Sequence, residues 1–259
     1  MVFEIFHRTR GNGPVLLLLP GGDGDADVTD DLAAHLQDAF TVVTFDRRGL
    51  SRSPNAGGSP GLDTHADDAA AVLEAVTGEP ALVFGSSIGA VIALELTTRH
   101  PGRVRLAVVH EPPLSALLPE EARAELVRDQ LAVEEAHRSE GVLPALGQFV
   151  RLARLDFSDR EPDVPLTPPG PQRLANLEFF LTHDAPAVRQ YRPDVNALRA
   201  QAARIVPAVG ETTTGPVAQS AHALADVLGT SATVLPGGHN GWAFRPRAVA
   251  AHLRTIFLD

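Results

Sequence analysis

The stretch Gly85-Ser86-Ser87-Ile88-Gly89 sets two hydroxyls between two glycines, where an apolar run suited to a strand (81–86) passes into one suited to a helix (88–100). A serine hydroxyl is a poor nucleophile until a neighbouring imidazole takes its proton. That imidazole in turn needs an acceptor on its other nitrogen, which fixes the tautomer and stabilises the imidazolium. A G-x-S-x-G turn between strand and helix lifts its middle serine above the strand end, so Ser87 is the exposed hydroxyl and Ser86 turns toward the preceding strand. A plain glycine-rich turn would carry the same letters; the strand before and the helix after favour chemistry. Of the ten histidines, His239 lies in the glycine-rich LPGGHNGW (235–242), after the last strand-like run and able to reach the strand tips. A loop histidine without a role is the alternative. His252 lies in a terminal helical pattern and reads as a surface residue. An oxyanion formed during acyl transfer needs two backbone N–H donors, and the residue after the nucleophile, Ile88, supplies one.

These residues need elements to hold them. Strand-like runs occur at 2–6, 14–20, 40–46, 81–86, 105–111, 204–211 and 231–237, with helical patterns at 28–38, 65–77, 88–100, 217–228 and 246–257. Continuous apolar strands alternating with helices predict an α/β fold with a mostly parallel central sheet flanked by helices on both faces. The alternation stops once. Between HEPP (110–113) and the strand at 204 there are helical patterns at 119–141, 142–155 and 173–191, broken by a proline-rich loop at 158–172. The expected division is a core of residues 1–113 and 200–259 with a helical cap or lid insertion at 114–199. Leu143, Phe149, Leu152, Phe179, Phe180 and Leu181 are the candidate pocket lining, each also suited to the cap's own core.

Composition narrows the chemistry. The 259 residues are 44% hydrophobic, enough for a full core, with a formal net charge of −10. That acidity argues against nucleic acid and anionic membrane as partners and leaves a small-molecule substrate. There is no cysteine, which removes disulfides, thiolate metal sites, iron–sulfur clusters and cysteine nucleophiles. All 22 basic side chains are arginine, so there is no Schiff-base lysine and no P-loop lysine. The N-terminus lacks a charged segment followed by an apolar core, so a soluble, cytoplasmic protein is expected. Oligomeric state is left open, a homodimer among the options. Asp23-Gly-Asp25-Ala-Asp27 opens like a calcium loop, but Val28 and Ala34 stand where that loop needs glycine and glutamate. These aspartates suit the start of the helix near 28. The same stretch lacks the spacing of a dinucleotide loop, and no cofactor or metal is expected.

Four stretches, spread over nearly the whole length, resemble the α/β-hydrolase fold superfamily, in its esterase- and lipase-like serine hydrolases. They are LLLLPGGDGD (16–25), FDRRGLSRS (45–53), the GSSIG elbow and LPGGHNGW. The second departs from the family's Asp-x-Arg-Gly-x-Gly-x-Ser by having Ser51 for a glycine. The resemblance implies the chain order nucleophile, acid, histidine, which leaves His110 out of order as a base. Aligning Pro20-Gly21 with the family's His-Gly makes Gly22 the second oxyanion donor, with Asp23 one residue away. It also predicts an aspartate in a Gly-x-x-Asp pattern after the strand ending at Gly210, where the sequence has Glu211, Thr212 and Thr213. Two carboxylates could stand in. Glu111, at the tip of the strand after the elbow strand and stiffened by Pro112-Pro113, is favoured; Glu211 is the alternative. A serine nucleophile disfavours the aspartate-dependent epoxide hydrolases and haloalkane dehalogenases of this fold.

The expected function is a cofactor-free serine hydrolase of an ester, thioester or lactone of a mostly apolar small molecule, forming an acyl-enzyme on Ser87. Two alternatives stay open. One is a lyase, carbon–carbon bond hydrolase or tailoring enzyme on the same fold; the other is a ligand-binding protein with weak or no hydrolysis.

Overall fold

The computed structural model describes residues 5–55 and 57–258. Seven strands form one sheet: β1 (His7–Arg10), β2 (Val15–Leu19), β3 (Thr41–Phe45), β4 (Ala81–Ser86), β5 (Val104–His110), β6 (Ile205–Gly210) and β7 (Thr233–Leu235). Their spatial order is β1-β3-β2-β4-β5-β6-β7. Only the β1–β3 pair is antiparallel; every other pairing is parallel. Parallel neighbours deliver all their C-terminal ends to one edge, and that edge holds Ser87, Glu111 and His239.

Both faces of the sheet are covered, which is why its strands read as continuous apolar runs rather than alternating ones. Leu17 and Leu19 of β2 join one buried cluster while Leu16 and Leu18 join another. On β4, Ala81 and Val83 likewise oppose Leu82 and Phe84. The first cluster is completed by α2 (Leu62–Val76), α3 (Ile88–Arg99) and parts of the segment between β5 and β6. The second is completed by α1 (Asp30–Ala34), by Trp242 and by the C-terminal helix Pro246–Leu258. Pro207 is tolerated inside β6 because pairing with β7 begins only at Ala208.

The stretch between β5 and β6 is helical and without a strand among its described residues. It contains α4 (Glu120–Glu140), α5 (Val142–Leu152), α6 (Pro171–Phe179), a π-helical turn (Phe180–Asp184), α7 (Ala185–Gln190) and α8 (Val195–Ala200). The single helix expected at 173–191 is therefore interrupted. Pro186 has no N–H to offer the Thr182 carbonyl, and the bonding register slips by one residue ahead of it. The helix Pro216–Leu228, α9, follows β6.

Two further expectations are corrected. Residues 2–4 of the strand expected at 2–6 lie outside the described residues, and the first described strand is displaced to His7–Arg10. The helix expected at 28–38 is a 3₁₀ turn (Asp27–Thr29) and the short α1. Asp25 caps its start, accepting from the Asp27 and Val28 N–H groups at 3.0 and 3.2 Å.

Candidate active site

Ser87 occupies the N-cap of α3 with φ 56° and ψ −122°, a conformation that costs a non-glycine residue on the order of 1–3 kcal/mol. The surroundings over-determine it. Its N–H donates to the His110 carbonyl at 2.9 Å, and its carbonyl accepts from Ala90 and Val91. A serine at an N-cap ordinarily spends its side chain on the helix's free N–H groups. Ser87 makes no such bond, leaving Oγ available. The flanking glycines are required by close backbone approach. A Cβ on Gly89 would lie 1.9 Å from the Leu19 carbonyl oxygen, and one on Gly85 would lie 2.4 Å from that of Gly89. α3 is thereby pressed onto β2 and β4, with the Ile88 N–H at its unpaired first turn.

His239 is buried in the loop after β7, and its Nδ1 stands 2.6 Å from Oε2 of Glu111. Oε1 of Glu111 accepts the Gly210 N–H at 2.7 Å. Glu111 itself is fully buried with φ 50°, another left-handed non-glycine residue. Its N–H is tied to the Ala208 carbonyl, and Ser220 of α9 donates to the Pro112 carbonyl at 2.6 Å, clamping the exit of the strand. Burial alone would raise the Glu111 carboxyl. His110, His239 and the Gly210 N–H outweigh it and hold the group at about 2, so it is ionised at neutral pH. Glu211, the alternative, is exposed at the tip of β6.

His110 is a member of this cluster that the chain order did not suggest. Its Nδ1 lies 3.1 Å from Ser86 Oγ, and its Nε2 is 3.7 Å from Glu111 Oε1. Burial pushes its imidazole down to about 4 against the pull of the Glu111 carboxylate, so the ring is neutral. Ser86, His110, Glu111 and His239 thus form a buried polar row. The structure brings His110 there because the tips of β4 and β5 are in register, Ser86 opposite His110.

Ser87, Ile88 and His239 share a mostly apolar cavity of about 50 Å³ with Pro113, Val133, Phe149, Leu152, Phe180, Val188 and Val217; Gln130 and Glu134 add polar atoms. Of the six expected lining residues, Phe149, Leu152 and Phe180 are there. Leu143 is exposed, Phe179 packs beside His183, and Leu181 is buried in the main core. Gly21 and Gly22 follow β2 beside the elbow; a Cβ on Gly21 would lie 3.6 Å from that of Ser87. His252 is exposed and its Nδ1 meets the Ala248 carbonyl. Among the described residues no group of three or more histidine, aspartate or glutamate side chains could hold a metal ion. No helix among them is long and apolar enough to cross a membrane.

A parallel-centred sheet with helices on both faces and a serine on a strained strand-to-helix turn defines an α/β-hydrolase architecture. A sequence profile of the alpha/beta hydrolase fold family matches residues 14–163. The hydrolase YraK of Bacillus subtilis (strain 168) is 38% identical over 262 residues, covering 98% of this chain and 92% of that protein. The chain belongs to the alpha/beta hydrolase fold family. Among solved structures, a thermophilic esterase from Thermogutta terrifontis superposes with a TM-score of 0.75 at 19% identity, covering 98% of this chain and 93% of that one. The enol-lactonase from Burkholderia xenovorans LB400 does so with a TM-score of 0.70 at 18% identity, covering 98% and 96%. At these identities the two structures share the fold.

Proposed function

We propose that the protein is a serine hydrolase cleaving an ester, thioester or lactone of a mostly apolar small molecule. His239 takes the proton of Ser87 Oγ as it attacks the substrate carbonyl. Glu111 holds the imidazole by Nδ1 and stabilises the imidazolium. The N–H groups of Ile88 and Gly22 receive the oxyanion. Collapse of the tetrahedral intermediate expels the alcohol, thiol or lactone oxygen, protonated by His239, and leaves the acyl group on Ser87. His239 then activates water to release the acid and restore the serine.

The observation that carries this reading is the 2.6 Å contact between His239 Nδ1 and Glu111 Oε2, made at the rim of a cavity that also holds Ser87. It supplies the carboxylate that the Gly-x-x-Asp position lacks, which weighs against a binding protein without turnover. Esterase and enol-lactonase activities on the same fold favour acyl–oxygen substrates. Residues 114–199 serve in this reading as a cap, because their apolar side chains Val133, Phe149, Leu152, Phe180 and Val188 line the cavity.

Ser87→Ala assayed with p-nitrophenyl acetate and butyrate tests the reading. Turnover is expected to vanish, together with covalent labelling by a fluorophosphonate. Retained turnover by the folded variant would overturn it.

A further inference from the structure

Beneath the loop Gly21–Gly24 a buried arginine makes contacts that the catalytic scheme leaves unexplained. Arg47 is 1% exposed, at the tip of β3. Its Nη1 donates to the Gly21 carbonyl at 3.2 Å and its Nη2 to the Gly22 carbonyl at 2.9 Å. The same Nη2 meets Oδ2 of Asp184 at 2.7 Å, and Oδ1 of Asp184 meets His65 Nε2 at 3.1 Å. Asp184 belongs to the π-helical turn of the covering segment and is buried. Burial would raise its carboxyl, but Arg47 and His65 together hold it below the usual carboxylate range.

A buried ion pair is weak evidence for stability, because desolvating both charges offsets much of their attraction. Arg47 also leaves its Nε without a partner, and His65 its Nδ1. Hydrophobic packing could fill this volume without unpartnered polar atoms. What the guanidinium does that an apolar side chain could not is point two carbonyls in a chosen direction.

That direction matters because a trans peptide is planar, with its C=O and N–H antiparallel. Turning the Gly21 carbonyl toward Arg47 turns the Gly22 N–H the opposite way, and Gly21 lies beside Ser87, where an added Cβ would be 3.6 Å from that of the serine. The Gly21 carbonyl also accepts the Gly24 N–H at 3.0 Å, so this turn and the fork of Arg47 together fix the orientation of the loop donor assigned to the oxyanion. The covering segment grips the same loop elsewhere. The Phe180 ring lies against Gly22, where an added Cβ would approach it to 3.1 Å. Asn176 of α6 donates to the Asp23 carbonyl at 3.3 Å, and Arg173 pairs with Asp23. One π turn thus carries both Phe180, which touches the donor residue, and Asp184, which holds the arginine that aims it. π turns recur at functional sites, where a register slip re-aims side chains.

We propose that Arg47 and Asp184 are positioning residues that orient the oxyanion-binding peptide Gly21–Gly22, coupling the seating of the covering segment to assembly of the catalytic site. The proposal rests on the serine hydrolase reading and on Gly22 as a donor. Arg47 sets the donor's direction before the substrate arrives, and Asp184 neutralises and fixes the guanidinium once the segment is seated.

The test is Arg47→Lys, which keeps the charge beside Asp184 but gives up the planar fork that reaches both carbonyls. With a p-nitrophenyl ester, kcat should fall roughly 10- to 100-fold, approaching the loss of one oxyanion donor, while KM changes little. Affinity for an alkyl boronic acid, which forms a tetrahedral adduct on the serine, should fall by the same factor as kcat/KM. Asp184→Asn should shift the same two quantities in the same direction. If Arg47→Lys proves unstable, Arg47→Ala with millimolar guanidinium supplies the second measurement; recovery of kcat by the added cation is expected. A merely structural role would lower the thermal midpoint and leave kcat per folded molecule and boronate affinity unchanged. That result, or an absence of guanidinium rescue in folded Arg47→Ala, would overturn the proposal while an inactive Ser87→Ala upheld the hydrolase reading. Activity surviving Ser87→Ala would instead remove that reading itself.

Discussion

Glu111 and His110 are adjacent in sequence, both buried, and held in opposite charge states. The carboxylate keeps its charge because it accepts the Gly210 N–H and the His239 N–H, while the neighbouring imidazole lies too deep to take a proton near neutrality. The pair makes stability depend on acid in a defined sense. In an unfolded chain His110 takes a proton near its ordinary 6.5, whereas the folded chain admits none until about 4. As pH falls across that window the unfolded state gains protons the native state cannot, so stability drops. A displacement of this size corresponds to roughly 3 kcal/mol. Glu111 acts in the same direction lower down, its contribution being complete above its ordinary 4.5 and lost as pH falls toward about 2. Urea unfolding at pH 7 and at pH 4.5 should show a fall in stability that is much reduced in His110→Gln, whatever that variant's absolute stability. An equal fall in both proteins would show that His110 is not the group taking up the proton.

The loop after β3 shows what an element can accept in order to be tied to its neighbours. Ser51 has φ 44°, left-handed backbone that glycine adopts freely, at the place where the family pattern has glycine. The strain is offset by contacts of the hydroxyl and of the backbone N–H. Its Oγ donates to Asp25 Oδ2 at 2.8 Å, and Nδ2 of Asn176 on α6 donates to it at 2.9 Å. The Ser51 N–H donates to Asn176 Oδ1 at 3.0 Å. The departure from the family pattern is thus a cross-link from the β3 loop to the covering segment. Ser51→Ala and Ser51→Gly both lose the hydroxyl, but only glycine also relieves the backbone. Ser51→Gly should therefore be the more stable variant by roughly 1 kcal/mol, measured by chemical denaturation. The reverse order would mean that the loop relaxes out of the left-handed conformation when the hydroxyl is removed.

Across the whole molecule, the parallel strands β2 to β7 bring their C-terminal tips to one edge, and that is the part the sequence states most plainly. The runs at 81–86 and 105–111 match β4 and β5 within a residue, because strands buried on both faces carry an uninterrupted apolar signal. The elbow was legible for the same reason: Gly85 and Gly89 answer to backbone packing next to them. Arg47 and Asp184 were not legible, since a doublet of arginines and an aspartate 137 positions later carry no pattern until the helices between β5 and β6 are folded over the loop. The carboxylate beside His239 fell between these cases: the empty Gly-x-x-Asp position was visible, and which carboxylate meets the imidazole was open. The structure shows what fills the vacated address. Thr213 stands three residues after Gly210, half-buried, with an Oγ1 that has no hydrogen-bond partner and points near Gly238, next to His239. Glu111 meets the imidazole from the tip of β5, and Thr213 marks the tip of β6 as a second place from which a carboxylate is expected to reach it. Glu111→Gln should lower kcat/KM by roughly 10³- to 10⁴-fold, because the imidazole loses the partner that fixes its tautomer. Adding Thr213→Asp to that variant should recover at least a tenth of the logarithmic loss on p-nitrophenyl butyrate, roughly two-fold or more, as a carboxylate returns within reach of the Gly238–His239 turn. A double variant no faster than Glu111→Gln alone would mean that the tip of β6 can no longer serve the histidine, and that the acid's place is fixed by the backbone of β5 rather than by the fold.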